Sequence, residues 1–210
     1  MTGTERTLLY RTAIQSGLRS NELRSLTRGR LYLDSDPPYV TCTAGSTKNK
    51  KDARQFIQPE LAADLRAHIA TKAPKAPVFN LPHETNIAAM LRDDLAEARK
   101  RWLKEAIGEP QEYAHRQQIA FLADTNHEGE ITDFQSLRHT CGGWLAITGA
   151  HPKVVQQVMR HSSITLTMDT YGHLFPGQEA DAVAAMRVIL VDLPEVLQAT
   201  GTDNATAKAP

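Results

Sequence analysis

The chain has 210 residues, 41% of them hydrophobic, with 24 basic and 24 acidic side chains. This composition predicts one soluble globular domain. With neither an apolar leader nor an apolar run of about 18 residues, neither secretion nor a membrane span is indicated, and a cytoplasmic protein is expected. The net charge of zero, taken alone, argues against a nucleic-acid partner.

A pair of helices is predicted over residues 6–27. Apolar residues follow helical spacing from Leu8 to Ile14, Gly17 interrupts the pattern, and Ser20 is suited to cap a second helix. We therefore expect two helices that meet at a turn.

Three short strands are predicted next. Residues 30–34, 39–43 and 54–57 contain β-branched and aromatic side chains, and a Pro-Pro turn and a polar loop separate them. These segments predict a small three-stranded antiparallel sheet.

Two helices are predicted after the sheet. Pro59 begins one over residues 59–70, and a longer one covers residues 84–106. The residues expected to face inward from these helices are Leu61, Leu65, Ile69, Ile87, Met90, Leu91, Leu95 and Trp102.

The remaining third of the chain is predicted to be mostly helical. Thr132 is expected to cap a helix over residues 133–149, Pro152 begins one over residues 152–161, and a short helix covers residues 164–173. The predicted fold class is therefore mainly α with a small three-stranded antiparallel sheet, an α+β fold.

Charge is distributed unevenly along the chain. Residues 1–54 carry ten Lys or Arg and five Asp or Glu, a net charge of +5, whereas residues 172–210 carry two and five, a net charge of −3. The basic front is either an electrostatic footprint for nucleic acid or a solvated face. Cys42 and Cys141 lie far apart without a Cys-x-x-Cys pair, so we expect reduced thiols and no zinc site.

Four separated side chains are candidates for chemistry, and each also has a simpler interpretation. Arg19 can be a surface arginine paired with Glu22, and Arg138 an exposed helix residue. His161 can be a histidine at a helix C-terminus, and Tyr171 a half-buried aromatic with its hydroxyl at the surface.

Considered together, these residue types favour phosphoryl transfer to a tyrosine. Two guanidiniums can hold the non-bridging oxygens of a phosphodiester, a phenol can attack phosphorus once its proton is taken, and a lysine can protonate the leaving oxygen. This chemistry requires neither a metal nor a cofactor, and the eight histidines include no His-x-x-x-His pair. We therefore expect neither.

Five segments, in this order along the chain, resemble the motifs of the tyrosine recombinases, the phage integrase family. They are SGLRSNEL for the first arginine box, TKNKKDAR for the lysine-bearing hairpin, FQSLRHT for the second arginine box, MRHSSI for the third box and MDTYGHL for the nucleophile segment. The resemblance covers roughly residues 6–174. It implies the fold of that family's catalytic domain, with DNA strand cleavage and rejoining as the activity.

The resemblance also implies roles for individual residues. Arg19 and Arg138 correspond to the arginines that clamp the scissile phosphate. His161 corresponds to a hydrogen-bond donor to that phosphate, and Tyr171 to the nucleophile that forms a 3′-phosphotyrosine.

The general acid is expected in the lysine-rich hairpin. We favour Lys48 and keep Lys50 and Lys51 as alternatives, because the length of the loop leaves the alignment open. His139 follows the second arginine as in the family pattern and is either a packed histidine or a participant in the chemistry. His173 is expected to be structural.

Two positions depart from the family pattern. Gln135 stands where His or Lys is usual, and its amide can donate a hydrogen bond but cannot exchange a proton near neutral pH. It precedes Arg138 by one helical turn, so we include it among the catalytic-site residues and expect it to attenuate activity. Arg160 stands where Gly is usual, either as a further phosphate contact or as an outward-facing residue.

Domain organisation follows from the same resemblance. Residues 1–176 correspond to the catalytic domain, and we expect the family's N-terminal DNA-clasping domain to be absent because only eighteen residues precede Arg19. An apolar stretch predicts a C-terminal helix over residues 177–198, followed by a disordered tail over residues 199–210.

The expected function is that of a site-specific DNA recombinase or integrase acting on double-stranded DNA as a homo-oligomer, which in the family is a tetramer. One alternative is a non-catalytic or attenuated DNA-binding remnant of an integrase, which Gln135 and the short N-terminus favour. The other is a type IB topoisomerase, which shares the chemistry but religates a single duplex.

Overall fold

The computed structural model describes residues 1–46, 52–125, 128–177 and 183–184. Its elements are α1 Gly3–Ser16, α2 Ser20–Ser25, β1 Leu31–Tyr32, β2 Tyr39–Cys42, β3 Ala53–Phe56, α3 Pro59–Ile69, α4 Ile87–Glu105, α5 Pro110–Gln118, α6 Gln135–Ile147, α7 Pro152–Met159 and α8 Ile164–Tyr171. The predicted fold class, mainly α with a small three-stranded antiparallel sheet, is confirmed.

Helix α1 has a defined start and a defined stop. It begins after Thr2, whose hydroxyl accepts the N–H of Glu5 at 3.2 Å. It ends at Gly17, whose φ of 62° is a left-handed conformation that costs little only for glycine. The predicted break at Gly17 is confirmed. Helix α2 then begins at Ser20 with Arg19 in the cap position, one residue earlier than predicted.

The three strands pair in chain order, each antiparallel to the next. Val40 and Cys42 on one face of β2 are buried in the core. On the other face, Tyr39 stacks on Tyr32 with ring centroids 4.6 Å apart. Gln55 lies opposite Val40 in the register and is therefore buried on the core side of the sheet.

The core is formed by α1, the sheet, α3 and the first turns of α4. Leu61, Leu65 and Ile69 of α3 are buried, as the helical spacing predicts. Helix α4 begins at Ile87 rather than at residue 84, because residues 84–86 form a 3₁₀ turn.

The inward face of α4 is buried only near its start. Ile87 and Leu91 are buried in the core. Trp102 instead belongs to a separate cluster, where its ring packs edge-on against Phe121 at 4.9 Å and the guanidinium of Arg116 lies 4.8 Å from its centroid. The two remaining predicted inward residues, half-buried against the core, are Met90 and Leu95.

Helix α6 begins at Gln135, two residues later than predicted. The Asp133 carboxylate accepts the N–H of Ser136 at 3.0 Å and so takes the role predicted for Thr132. Thr132 instead donates its own backbone N–H to the carbonyl of Asp124 at 2.7 Å. The prediction of Thr132 as the cap is wrong, because an acidic side chain closer to the helix accepts one of its free N–H groups.

The last two helices have the predicted order and nearly the predicted lengths. Helix α7 begins at Pro152 and stops at Met159, because Arg160 adopts a left-handed φ of 49°. Ser163 caps α8 by accepting the N–H of Leu166 at 3.2 Å, and Tyr171 is the last residue of that helix.

The chain divides into two compact units, Met1–Leu174 and Phe175–Pro210. The C-terminal helix predicted over 177–198 lies outside the described residues except at positions 177, 183 and 184, and the tail predicted over 199–210 lies wholly outside them. Both stay predictions. In the described part of the chain, no helix is long and apolar enough to cross a membrane.

Candidate active site

Arg19, Arg138, His161 and Tyr171 come together around helix α6, although up to 152 positions separate them in the sequence. Helix α6 packs against α1, α7 and α8, and Arg138 lies one turn from its start. Arg19 precedes α2, His161 follows α7, and Tyr171 ends α8. The ends of three helices therefore converge on the side of α6 that carries Arg138.

Arg138 connects these elements. Its guanidinium donates to the carbonyls of Gly17 and Met159, at the ends of α1 and α7, and the residue is only 2% exposed. Burial, followed by the charges of Arg19 and Arg160, lowers the pKa of Arg138 to about 10, so the group is still cationic at neutral pH. The interpretation as an exposed helix residue is wrong.

Arg19 is the more accessible arginine. Its side chain is 24% exposed, and its Nη1 lies 3.3 Å from Oε1 of Glu22, the pair that the i, i+3 spacing predicts. The fully buried Glu22 carboxylate also accepts the backbone N–H of Arg19 at 2.8 Å. The ion pair and a place in the site are therefore compatible, because the pairing fixes the start of α2 and orients the guanidinium.

Arg160 does not face outward, because its side chain is only 10% exposed. Its guanidinium donates to the buried carboxylate of Glu22 and, at 2.6 Å, to Oε1 of Gln55 on β3. Its left-handed backbone also gives a physical reason why glycine suits this position. Arg160 thus joins the end of α7 to α2 and to the sheet, and Glu22 is shared by two arginines.

We expect Arg160→Met to lower the free energy of unfolding by about 3 kcal/mol, because it removes one of the two cations that compensate the buried Glu22 carboxylate. Arg160→Gly should lose about 1 kcal/mol less, since glycine relieves the left-handed backbone. Urea unfolding of both variants and the wild type measures the difference. Equal stability of all three proteins would contradict the role of the ion pair.

His161 is neutral at physiological pH. Burial, then the charges of Arg138 and Arg19, lower its pKa to about 4. Its Nδ1 lies 3.0 Å from the Thr167 hydroxyl, and its ring is nearly parallel to that of Tyr171, 5° between planes and 6.1 Å between centroids. Thr167 is fully buried, so this contact fixes the orientation of the imidazole.

Tyr171 is 2% exposed, so the interpretation as a half-buried aromatic with a surface hydroxyl is wrong. Its hydroxyl oxygen lies 3.3 Å from Nδ1 of His139. Burial raises the pKa of Tyr171, while the positive charge of Arg138 acts in the opposite direction. A phenol in this position needs a base before it can act as a nucleophile.

Gly142 provides the space that the Tyr171 ring occupies. A Cβ at this position would lie 2.5 Å from the tyrosine oxygen and 2.6 Å from Cε2, far inside van der Waals contact. The neighbouring Gly143 is different, since a Cβ there would meet only Cδ1 of Leu174 at 3.4 Å. Alanine at Gly143 is therefore a control for alanine at the adjacent Gly142.

We expect Gly142→Ala to displace the tyrosine ring and Gly143→Ala to leave it in place. Displacement by about 1 Å should slow any reaction of the hydroxyl by about 10²-fold. Gly143→Ala should raise the free energy of unfolding by up to about 1 kcal/mol, because alanine favours the helix, whereas in Gly142→Ala the crowding should offset that gain. Near-ultraviolet circular dichroism and single-turnover kinetics measure the two effects. Equal spectra and equal rates of the two variants would contradict the packing of the Tyr171 ring against Gly142.

Two predicted site residues are less well defined by contacts. Gln135 is the first residue of α6, is half-buried, and makes no side-chain hydrogen bond to the described residues. Lys48 lies outside the described residues, as do the alternatives Lys50 and Lys51. His173 is exposed in a 3₁₀ turn after α8.

The sequence analysis did not identify three contributors to the site: Gln55, Thr167 and Gly142. Gln55 and Arg160 are 105 positions apart, so no local pattern relates them. Thr167 follows His161 by six positions across a helix start, which only the turn between α7 and α8 brings into contact. The Gly-Gly pair inside a helical pattern was a usable signal, because glycine there indicates close packing.

Residues 2–177 match the profile of the phage integrase family. The chain belongs to the phage integrase family. No sequence among the curated proteins matches it significantly.

Solved structures of recombinases have a similar fold. The XerA recombinase is 16% identical with a TM-score of 0.54, covering 91% of this chain and 60% of its own. The catalytic domain of the bacteriophage HP1 integrase is 20% identical with a TM-score of 0.50, covering 89% and 84%. The Tn1549 transposon integrase in complex with circular intermediate DNA is 17% identical with a TM-score of 0.54, covering 88% and 60%. The chain thus spans about 60% of XerA and of the Tn1549 integrase fragment.

Proposed function

We propose that this chain is the catalytic domain of a site-specific recombinase or integrase, which cleaves and rejoins DNA strands through a 3′-phosphotyrosine. The observation that carries the proposal is the convergence of Arg19, Arg138, His161 and Tyr171 on one side of α6. Membership of the phage integrase family supports the same reaction.

The two arginines have complementary parts in binding phosphate. Arg138 is held by the carbonyls of Gly17 and Met159, so its guanidinium is positioned before DNA arrives. Arg19 keeps part of its guanidinium accessible and can close on the second non-bridging oxygen. Together they stabilise the negative charge that builds up as the phosphorus is attacked.

His161 acts as a neutral hydrogen-bond donor. If an imidazole were protonated beside two arginines, three cations would repel one another, and the lowered pKa of about 4 prevents this. We assign the Thr167 hydroxyl as the donor to Nδ1, and this tautomer leaves the Nε2–H of His161 to donate to a phosphate oxygen.

The bond changes follow from these positions. The Tyr171 oxygen attacks phosphorus, the bond to the 5′ oxygen breaks, and a general acid protonates the leaving group. Lys48 remains the residue proposed for that proton. These bond changes require neither a cofactor nor a metal.

Double-stranded DNA is the proposed partner. The Tn1549 integrase and the XerH recombinase, whose structures contain DNA, have this fold. The basic front is weaker than its net charge indicates, because Arg6 pairs with Asp94 at 2.8 Å. We therefore propose weak, salt-dependent binding in which the clamp arginines contribute much of the affinity.

Assembly on DNA into a homo-oligomer is part of the proposal. Helix α8 exposes three apolar side chains, Ile164, Leu166 and Met168, and α6 exposes Trp144. Exposed apolar side chains on these two helices are candidates for contact with a second copy of the chain. A cytoplasmic location is proposed from the function. Family membership favours recombination over the relaxation of a type IB topoisomerase.

Covalent trapping tests the proposal. The chain is incubated with a DNA duplex that carries a 5′-bridging phosphorothiolate, and a denaturing gel separates free DNA from adduct. An adduct at the 3′ phosphate is the expected product. DNA binding without adduct at any enzyme concentration would favour the alternative of a non-catalytic remnant.

Gln135 should slow this reaction rather than abolish it, since the arginines and the tyrosine remain in place. We expect Gln135→His to increase the single-turnover rate of adduct formation, by up to about 10²-fold if the usual histidine moves protons. Rates are compared at equal, saturating DNA binding, and Gln117→His on α5 is the control for an added histidine. An unchanged rate would mean that glutamine is sufficient at this position.

A further inference from the structure

His139 has no role in the site described so far, yet it contacts the reacting atom. Its Nδ1 lies 3.3 Å from the Tyr171 hydroxyl oxygen, and the two ring centroids are 6.3 Å apart. In the described part of the chain, no other side-chain atom has a hydrogen bond to that hydroxyl. His139 is also exposed, so its ring can exchange protons with solvent.

The neighbouring groups are poor acceptors for the phenol proton. Gln135 cannot take up a proton near neutral pH. The Nδ1 of His161 is occupied by Thr167, and its ring lies parallel to that of Tyr171. Arg138 is cationic, and the thiol of Cys141 is buried, which raises its pKa to about 11.

We propose that His139 is the catalytic base of this chain, which accepts the Tyr171 proton during strand cleavage and returns it during rejoining. This inference rests on the proposed function and specifies where the proton goes. It also gives a reason why Gln135 slows the reaction rather than abolishing it, since a base lies one turn further along α6.

The proton balance is complete without another reactant. The Tyr171 O–H proton moves to Nδ1 of His139 as the phenol oxygen bonds to phosphorus. The phosphorus bond to the 5′ oxygen breaks, and the general acid protonates that oxygen. Rejoining reverses each step, so the imidazolium of His139 donates the proton back to the leaving phenolate.

The surrounding charges are arranged for this transfer. Arg138, next to His139 on α6, stabilises the phenolate, whereas Cys141 has the opposite effect on the tyrosine. His161, which faces the ring from beyond α7, is neutral, and Arg19 before α2 acts on Arg138 and His161. Transfer from tyrosine to histidine therefore places a negative oxygen beside the arginine that would hold the phosphate.

The first test reads the hydrogen bond itself, in the protein without DNA. Nitrogen-15 NMR of the labelled histidines reports which ring nitrogen of neutral His139 is protonated. The expected result is an unprotonated Nδ1 with the proton on Nε2, and a changed Nδ1 signal in Tyr171→Phe. A proton on Nδ1 of the neutral ring would overturn the proposal, because His139 would then donate to the tyrosine oxygen.

The second test follows the chemistry with the phosphorothiolate duplex. His139→Gln should lower the rate of adduct formation by about 10²–10⁴-fold and change its pH profile. Added imidazole should restore part of the rate of adduct formation by His139→Ala. A purely structural role of His139 would not explain such a rescue. His173→Gln, a change at an exposed histidine beyond α8, is the control and should react like the wild type.

The outcomes distinguish the role of His139 from the proposed function of the chain. If the wild type forms an adduct and His139→Gln forms it at the same rate with the same pH profile, only the assignment of His139 is wrong. If the wild type binds DNA but forms no adduct, the proposed function is wrong and this role of His139 is wrong with it.

Discussion

Tyr171→Phe is expected to abolish the covalent protein–DNA adduct while leaving the fold and DNA binding nearly unchanged. The substitution keeps the ring that packs on Gly142 and lies parallel to His161. It removes only the hydroxyl and its contact with His139, which contributes about 0.5–1.5 kcal/mol to stability. The nucleophilic oxygen is absent, and no second tyrosine is among the described contacts of Arg138.

A denaturing gel of phosphorothiolate reactions measures the adduct, and gel shift at low salt measures binding. Tyr113→Phe on α5 is the matched control, because it makes the same chemical change in a helix remote from the site. Adduct formation by Tyr171→Phe at the wild-type rate would show that another residue is the nucleophile. Loss of binding in that variant would instead mean that the hydroxyl holds DNA before cleavage.

The fold was predictable wherever local signals were unambiguous. Gly17 stops α1 because its backbone is left-handed, and Pro152 begins α7 because its missing N–H is not needed there. The start of α6 was predicted two residues early because Thr132 and Asp133 are both good caps. Which of them caps the helix depends on the path of the preceding chain.

The sequence identified candidate residues of the site, but not the hydrogen bonds and ion pairs that hold them. Resemblance to family motifs identified Arg19, Arg138 and Tyr171 one by one. The same reasoning left Arg160 undecided between a further phosphate contact and an outward-facing residue. Its actual partners, Glu22 and Gln55, lie 138 and 105 positions away, and only the folded chain brings them within hydrogen-bond distance.

The net charge of a segment also fails to show which of its side chains pair with distant residues. The net charge of +5 over residues 1–54 assumes that basic side chains there face solvent. Arg6 and Arg11 of α1 instead pair with Asp94 of α4 and Asp64 of α3, which lie outside that segment. A local excess of charge therefore overstates the electrostatic footprint when long-range ion pairs neutralise part of it.

Arg138→Lys is expected to lose both stability and activity, although the charge is kept. The guanidinium reaches the carbonyls of Gly17 and Met159 at once, and a single ammonium on a different stem cannot reproduce that planar fork. At least one buried carbonyl loses its partner, which should cost about 1–3 kcal/mol. Single-turnover adduct formation should fall by about 10²–10³-fold, as for the loss of one oxyanion donor.

Arg19→Lys is the comparison that separates the two losses. Its guanidinium is partly exposed and, among the described residues, is bound to Glu22 alone, which an ammonium can also reach, so stability should change by less than about 1 kcal/mol. Its adduct formation should nevertheless fall, because a point charge cannot grip two phosphate oxygens. Thermal unfolding and adduct kinetics on both variants give four values. If Arg138→Lys matches the wild type in both measurements, the buried arginine neither links α1 to α7 nor belongs to the clamp. If only the rate of adduct formation in Arg138→Lys is normal, Arg138 is a structural residue and Arg19 holds the phosphate without it.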